Sequence, residues 1–338
     1  MTKKVYDSGV DIVLVHLNTK LPKYAKRNLV TLKSNFPDHN VVLISNTTQP
    51  RIKNIGFVLY EESEESRAID TKLSHPKNFR NNFWHASIAR FTYLLSYQKE
   101  ISRPILHVES DVILSKDFPM EIIAENSNLS FPVLSRFRGV ASVFYSNSAQ
   151  SLAEFVNFLV FESDFDSQIT DMTALRRYFD RFPKRVEILP AGPSNKTAYE
   201  KEIEDDIYSQ LIQGLEKYGG VFDGSDIGMF VFGTDPRNAL GYSMLRKEID
   251  STYTQMSNME FRYNKSREFV DVMSNGQWIP VFNIHMTCKN TKFFLKRPSE
   301  KYFKKYVGNQ NFREAFMIRV YLRMGIAKIA RITRHFCK

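Results

Sequence analysis

The chain has 338 residues, of which 43% are hydrophobic and 25% charged, so it can bury a substantial core. Its 27 Phe and 16 Tyr exclude a largely disordered chain, and its two cysteines exclude a framework of several disulfides or a Cys-rich zinc site. The net charge of +10 is concentrated after residue 288, where 14 Lys or Arg accompany two acidic residues, so the rest of the chain is close to neutral.

The N-terminus carries no recognisable targeting segment. Residues 1–9 are polar, and the apolar run over 10–17 is short and interrupted by Asp11 and His16. We therefore predict no signal peptide. No apolar stretch reaches the roughly 20 residues that a membrane-spanning helix needs. Together with the low cysteine content, these features predict a cytoplasmic protein.

The first 60 residues predict alternating strands and helices. Apolar runs over 11–18, 41–46 and 55–60 are typical of buried strands, and a helical pattern separates the first two. This spacing is typical of a parallel sheet with crossover helices, and therefore of an α/β protein, in which ligands bind beyond the carboxyl ends of the strands. His16 and Asn18 lie at such an end and are candidates to face a nucleotide. The alternative is that they only make hydrogen bonds within a turn.

An amphipathic helix and an acidic strand follow. Trp84 and Ile88 recur at helical spacing, so this helix is expected to pack on the sheet. Residues 105–114 predict a strand whose apolar runs flank two carboxylates, Glu109 and Asp111. Because side chains alternate along a strand, the two carboxylates point the same way, and Mg²⁺ or Mn²⁺ between them would relieve their repulsion. The alternative is a strand that ends in solvated acidic residues.

Residues 105–114 resemble the strand and Asp-X-Asp motif of GT-A glycosyltransferases, with Glu109 in place of the first Asp. Residues 87–95 are similar to the helix that precedes this strand in retaining transferases of the glycogenin and lipooligosaccharide galactosyltransferase type. The resemblance implies a Rossmann-like GT-A domain over residues 1–290, with a mostly parallel mixed sheet flanked by helices. It also implies a nucleotide-sugar donor, expected to be a UDP-sugar, and Mn²⁺ or Mg²⁺ bound by Glu109 and Asp111.

The same resemblance places two residues near the donor sugar. An arginine at the position of Arg90 contacts that sugar in the family, and the alternative here is a surface ion pair. Residues 166–175 open a helix predicted to run to Phe179, and Asp171 within them resembles the Asp of the family's Asp-Gln segment, although Met172 occupies the Gln position. Its alternative role is that of a helix N-terminal acid stabilised by the helix dipole. Arg138 is a second departure, because the retaining enzymes usually have Asn there.

The predicted catalytic domain closes with an apolar strand over 278–285. The strand ends in His285, and Lys289 follows, which resembles the His-then-Lys element at the end of glycogenin-type domains. The resemblance implies that His285 completes the metal site and that Lys289 contacts the diphosphate. Imidazole with carboxylates suits Mn²⁺, and an ammonium group offsets the charge of the leaving group. The alternative is a structural histidine.

Residues 221–230 and 233–238 are rich in glycine and aspartate, with aromatic residues between them. Tight turns of this composition can bring backbone and carboxylates close to a ligand. We therefore predict the acceptor site here, with Asp223 or Asp226 as general base if the enzyme inverts. Ordinary turns are the alternative.

Residues 291–338 predict a basic amphipathic extension. Arg323, Lys328 and Arg331 alternate with aliphatic side chains, as in helices that lie on an anionic membrane surface. The alternative is a helix packed on the domain with its cations in solvent. Nucleic acid is not an expected partner, because the excess of positive charge is confined to this end of the chain, where aliphatic side chains separate the basic ones.

These features predict a metal-dependent, retaining glycosyltransferase peripheral to the inner face of the membrane. It would use a glycan or lipid-linked acceptor in capsule- or LPS-type surface polysaccharide biosynthesis. A nucleotidyltransferase shares the expected architecture, but residues 18–22 lack the glycine-rich loop that such an enzyme carries after its first strand. A catalytically silent membrane-bound scaffold, in which Glu109 marks a decayed motif, is the second alternative.

Overall fold

The computed structural model describes residues 9–77, 79, 82–194, 203–232 and 259–287. The described strands are β1 (Asp11–Val15), β2 (Val41–Ser45), β3 (Gly56–Leu59), β4 (Ile105–Val108), β5 (Val112–Leu114), β6 (Leu129–Ser135), β7 (Arg138–Gly139), β8 (Val143–Ser146), β9 (Val186–Leu189), β10 (Phe261–Asn264), β11 (Phe269–Ser274), β12 (Gln277–Pro280) and β13 (Asn283–His285). The described α-helices are α1 (Lys23–Asn35), α2 (Glu64–Lys72), α3 (Phe83–Ile101), α4 (Met120–Ala124), α5 (Ala149–Phe165), α6 (Asp171–Arg181), α7 (Asp205–Tyr218) and α8 (Asp226–Phe232).

The first four strands of the large sheet are parallel. β1 pairs with β2 on one side and β4 on the other, and β3 continues the sheet beyond β2. Ile12 and Leu14 of β1 pack in the same core cluster as the buried residues of α1, whereas Val13 packs on the opposite face with those of α3. A strand buried on both faces needs apolar residues at successive positions, which is why these runs predict buried strands. The predicted parallel arrangement with crossover helices is confirmed.

The second half of the large sheet is mixed. β8 is antiparallel to β4 and β6, and β9 is parallel to β6. The strand order is β3-β2-β1-β4-β8-β6-β7, with β9 beside β6. Phe91 of α3 contacts Phe144 of β8 and Phe155 of α5 edge to face, which fixes both helices on the same face of the sheet. The α/β architecture with a mixed sheet flanked by helices agrees with the prediction.

Two small sheets accompany the large one. β13 is antiparallel to β5, with His285 opposite Val112. β10, β11 and β12 form an antiparallel meander. The prediction of one strand over 278–285 is wrong, because the chain leaves the meander after Pro280 and pairs with β5 from Asn283 onward. The change of partner strand interrupts the ladder at residues 281–282.

Several sequence-based predictions concern residues outside the described ranges. These residues are Lys289, positions 233–238 of the predicted acceptor block, and the extension over 291–338. The domain boundary at residue 290 therefore stays a prediction. Within the part of the chain that the structure describes, no helix is both long enough and apolar enough to cross a membrane.

Candidate metal centre

The two carboxylates of the acidic motif lie in a turn between β4 and β5. The N–H of Glu109 donates to the carbonyl oxygen of Ser142 over 3.1 Å, and the carbonyl oxygen of Glu109 accepts the N–H of Val112 over 3.0 Å. The prediction of an uninterrupted strand over 105–114 is therefore wrong. Glu109 and Asp111 approach each other because the chain turns, and not because they alternate along a strand.

A buried asparagine holds this turn from the other side. The side-chain amide of Asn28 on α1 donates to the carbonyl oxygens of Ser110 over 3.3 Å and Val112 over 2.7 Å. Asn28 is fully buried, so these hydrogen bonds form away from water, where the loss of a partner is costly. The sequence analysis missed this residue. Its signal is a polar side chain within the apolar face formed by Ala25, Leu29 and Leu32.

His285 brings a third ligand atom to the two carboxylates. Its Nε2 lies 3.4 Å from Asp111 Oδ1 and 3.5 Å from Glu109 Oε2. Its Nδ1 lies 2.9 Å from the carbonyl oxygen of Gly224. Because a carbonyl oxygen can only accept a hydrogen bond, we assign a proton to Nδ1, and Nε2 then faces the two carboxylates. The three ligand atoms lie within 4.8 Å of one another. The structure thus brings together the three predicted metal ligands, Glu109, Asp111 and His285.

The charges of Glu109, Asp111 and His285 depend on one another. Burial alone would lower the pKa of His285, but Asp111 and Glu109 raise it to about 10. Burial would raise the pKa of Glu109, whereas Arg90 and His285 lower it and keep the carboxylate ionised. Without a metal, the proton on Nε2 neutralises part of the carboxylate charge. Because metal ligands bind in deprotonated form, a divalent cation would take the place of that proton.

Arg90 and Asp171 form the other side of the centre. Arg90 on α3 is 7% exposed and donates through Nη1 to Glu109 Oε1 and through Nη2 to Asp171 Oδ2. Asp171 is the first residue of α6, a helix whose preceding Thr170 accepts the N–H of Thr173 over 3.1 Å. Burial raises the pKa of Asp171, and Arg90 opposes this effect. A surface ion pair is therefore the wrong alternative for Arg90, which instead joins Asp171 to Glu109.

Asp223 occupies a different environment from the predicted one. It is 1% exposed, and its carboxylate accepts the backbone N–H groups of Ile227 over 3.0 Å, Gly228 over 2.8 Å and His285 over 2.9 Å. Burial raises the pKa of Asp223 to about 6, and the donated hydrogen bonds counteract part of this shift. Such a carboxylate is not presented to an acceptor sugar. The predicted acceptor-binding or general-base role of Asp223 is therefore corrected to a role inside the fold.

Asp226 is buried as well. It is 1% exposed at the start of α8, and Ser225 Oγ donates to its Oδ1 over 3.3 Å. Its carboxylate is therefore not on the surface of this structure. The acceptor-binding or general-base role of Asp226 stays a prediction.

His16 makes a local hydrogen bond, whereas Asn18 pairs with a residue at the end of the neighbouring strand. His16 Nε2 lies 3.0 Å from Thr19 Oγ1, and the side chains of Asn18 and Asn46 join over 2.7 Å. Asn18 and Asn46 also line a cavity of about 120 Å³ between the ends of β1 and β2 and helices α2 and α3. Ala86, Ala89 and Tyr93 of α3 line the same cavity.

Neither a protein-family model nor a curated protein matches this chain. Among solved structures, the galactosyltransferase LgtC in complex with donor and acceptor sugar analogues is similar at 11% identity and a TM-score of 0.39, over 60% of this chain and 82% of that chain. A glycosyltransferase involved in glycosylation of the major capsid of PBCV-1 is similar at 12% identity and a TM-score of 0.33, over 53% of this chain and 81% of that chain.

The bifunctional glycosyltransferase WbbM, in its apo structure, is similar at 12% identity and a TM-score of 0.36, over 76% of this chain and 52% of that chain. All three proteins are glycosyltransferases, the class that the sequence resemblance names. Because the identities and TM-scores are low, the function proposed below rests on the residues of the metal centre.

Proposed function

We propose that this protein is a metal-dependent glycosyltransferase of the GT-A type that transfers a sugar from a nucleotide-sugar donor. The observation that carries this proposal is the convergence of Glu109, Asp111 and His285 at the carboxyl end of β4. In α/β sheets, ligands bind at this edge. Arg90 and Asp171 close the other side of the same centre.

The donor set fits Mn²⁺ or Mg²⁺. Two carboxylates and one imidazole are ligands that Mn²⁺ accepts, and the hydrogen bond from Nδ1 to Gly224 fixes the ring so that Nε2 can coordinate. Glu109, Asp111 and Asp171 carry three negative charges when ionised, and Arg90 carries one positive charge. A divalent cation balances the difference of two negative charges. When bound, the cation supplies Lewis-acid stabilisation of the departing nucleoside diphosphate.

The chain's own groups position the rest of the donor. Asp171 accepts a hydrogen bond from a hydroxyl of the donor sugar. Arg90 pairs with both Asp171 and Glu109 and so keeps the distance between them fixed. The nucleoside lies in the cavity lined by Asn18 and Asn46, whose amide groups can donate to and accept from the edge of a base. Lys289, which follows His285 in the chain, contacts the diphosphate.

The finer assignments are part of the same proposal. The donor is a UDP-sugar, and transfer retains the configuration of the sugar, as the resemblance around Asp171 and His285 implies. The acceptor is a glycan or a lipid-linked glycan of a capsule- or LPS-type polysaccharide. The 14 basic residues after position 288 support attachment of a cytoplasmic enzyme to the anionic inner face of the membrane.

A donor screen tests the proposal. Thermal shift and calorimetry with UDP-, GDP-, CMP- and dTDP-sugars are measured with Mn²⁺, with Mg²⁺ and with EDTA. A ligand that binds only the native state raises Tm, so one donor should raise Tm in a metal-dependent manner. When acceptor glycans are added, that donor should release its nucleotide, which is UDP for the proposed UDP-sugar. Asp111→Asn should abolish this shift, whereas Asp117→Asn, which lies outside the centre, should keep it.

Other outcomes identify the alternatives. Release of inorganic pyrophosphate from a nucleoside triphosphate and a sugar phosphate would identify a nucleotidyltransferase. Absence of binding to every donor by folded full-length protein, or donor binding that Asp111→Asn leaves unchanged with the same metal dependence, would favour a silent scaffold.

A further inference from the structure

The segment formed by Asp223 and Gly224 lies directly beneath His285. Asp223 Oδ2 accepts the backbone N–H of His285 over 2.9 Å, and the carbonyl oxygen of Gly224 accepts Nδ1 of the same residue over 2.9 Å. Two consecutive residues therefore contact the main chain and the ring of one histidine. Such a pair of contacts fixes both the position of the Cα atom and the rotation of the imidazole.

The same segment is anchored to the rest of the fold by its peptide group. The carbonyl oxygen of Asp223 accepts Ser142 Oγ over 2.8 Å and Asn283 Nδ2 over 2.7 Å. Ser142 also accepts the N–H of Glu109 with its backbone carbonyl. Asp223 is thereby linked, through fully buried Ser142 and Asn283, to both sides of the metal centre.

Close backbone packing leaves this arrangement little freedom. Asp223 also accepts the N–H groups of Ile227 and Gly228, so one carboxylate joins the first turn of α8 to β13. A Cβ atom at Gly228 would overlap the carbonyl oxygen of His285, and one at Gly224 would lie 2.8 Å from Leu134 Cδ1. Only glycine allows α8 and the turn before it to approach β13 and β6 this closely.

We propose that Asp223 is the positioning residue of the metal centre, which holds His285 in its metal-ligating orientation without contacting the metal or the substrate. This inference rests on the proposed function, because it assigns a role to Asp223 at the same centre. It replaces the general-base role, since both carboxylate oxygens already accept backbone N–H groups inside the fold. Residues that orient metal ligands typically change metal affinity by about 10- to 100-fold when mutated.

The test measures Mn²⁺ binding directly, by electron paramagnetic resonance or calorimetry on the full chain without donor. Asp223→Asn keeps the shape of the side chain but removes an acceptor, and should weaken Mn²⁺ binding by about 10- to 100-fold. The matched control is Asp271→Asn, another buried aspartate, which pairs with Arg262 and Arg267 outside the centre. Asp271→Asn should lower Tm and leave the Mn²⁺ affinity of the folded protein near that of the wild type.

A milder pair of variants covers the case in which Asp223→Asn does not fold. Ser142→Ala removes one donor to the Asp223 carbonyl and should weaken Mn²⁺ binding by a few-fold, while Ser146→Ala, also a fully buried serine of the same sheet region, should not. Wild-type Mn²⁺ affinity in a folded Asp223→Asn protein, or in Ser142→Ala if the former does not fold, would overturn the inference and leave the proposed function standing. No Mn²⁺ binding by the wild type would instead overturn the proposed metal centre.

Discussion

Two clusters of charged side chains in this protein differ in how their carboxylates are neutralised. At the metal centre, three carboxylates share one guanidinium and one imidazole. In the second cluster, which we call the arginine cluster, Asp117 and Asp271 pair with Arg262 and Arg267. The arginine cluster therefore has equal numbers of fixed positive and negative charges, whereas the metal centre has an excess of carboxylates over fixed cations.

The arginine cluster is saturated with hydrogen bonds. Arg267 donates to Asp271 Oδ1 over 2.5 Å and to Asp117 Oδ1 over 3.0 Å, and it also donates to the carbonyl oxygens of Val270 and Val281. These contacts join the meander of β10, β11 and β12 to the chain that follows β5. Because a guanidinium stays protonated in proteins, no ion is needed to complete this cluster.

This difference separates a structural cluster from a functional one. An imidazole can give up a proton and coordinate a metal, so the positive charge beside Glu109 and Asp111 is exchangeable. A fixed guanidinium offers no such exchange. We therefore expect mutations in the arginine cluster to act mainly on the free energy of unfolding, and mutations at the metal centre to act mainly on metal and donor binding.

The largest expected effect on stability comes from Arg267→Met. It leaves Asp117 and the buried Asp271 without their shared partner and should lower the free energy of unfolding by about 3 kcal/mol. Urea unfolding measures this change. The folded variant should bind Mn²⁺ as the wild type does. If Mn²⁺ affinity fell in proportion to stability, the two clusters would act as one unit and the comparison would fail.

A matched pair of aspartate substitutions sharpens the comparison. Asp271→Asn should lower the free energy of unfolding by about 2 kcal/mol, because it removes a buried partner of two arginines. In EDTA, Asp111→Asn should change it by less than about 1 kcal/mol, since the lost contact to His285 is offset by reduced repulsion with Glu109. Equal destabilisation by both variants would assign a structural role to Asp111.

Arg90→Lys tests the guanidinium at the metal centre. A lysine offers one ammonium group and cannot donate along two directions to Glu109 and Asp171, so kcat/KM for donor should fall by about tenfold. The control is Arg176→Lys on α6, a buried arginine that donates to Asp180 and to the Ser135 carbonyl. It should lower stability but keep the kinetics, and similar kinetics for both variants would exclude donor positioning by Arg90.

The sequence predicted the fold where signals are local and repeated. Apolar runs buried on both faces identify the strands of β1, β2 and β4, and helical spacing around Phe91 identifies α3. Glu109, Asp111 and His285 were predicted as one site because a family resemblance joins segments that lie far apart in the chain, and the structure brings these three side chains together.

The sequence could not predict what long-range contacts decide. Asp223 lies in a glycine- and aspartate-rich stretch for which we predict tight turns near a ligand. Its carboxylate is instead buried and accepts the N–H of His285, which is 62 positions away in the chain. Asn28 meets Ser110 and Val112 across a separation of more than 80 positions. Because these partners lie far away in the chain, the sequence around Asp223 and Asn28 does not indicate them. Local patterns therefore indicated a ligand-binding role for Asp223 and no role for Asn28.

The smallest expected effect lies at the edge of the arginine cluster, in Arg262→Met. Arg262 is about half exposed, donates to Asp271 over 3.1 Å and places its guanidinium 4.7 Å from the ring centroid of Trp278. Solvent weakens such an ion pair, and methionine keeps an apolar side chain over the ring, so the free energy of unfolding should fall by about 1 kcal/mol or less. Urea unfolding of Arg262→Met and Arg267→Met measures the difference between their free energies of unfolding. Equal losses would mean that Arg262 neutralises Asp271 as effectively as the less exposed Arg267. The expected difference instead locates the stabilising charge at Arg267, whose side chain is 14% exposed and pairs with both Asp117 and Asp271.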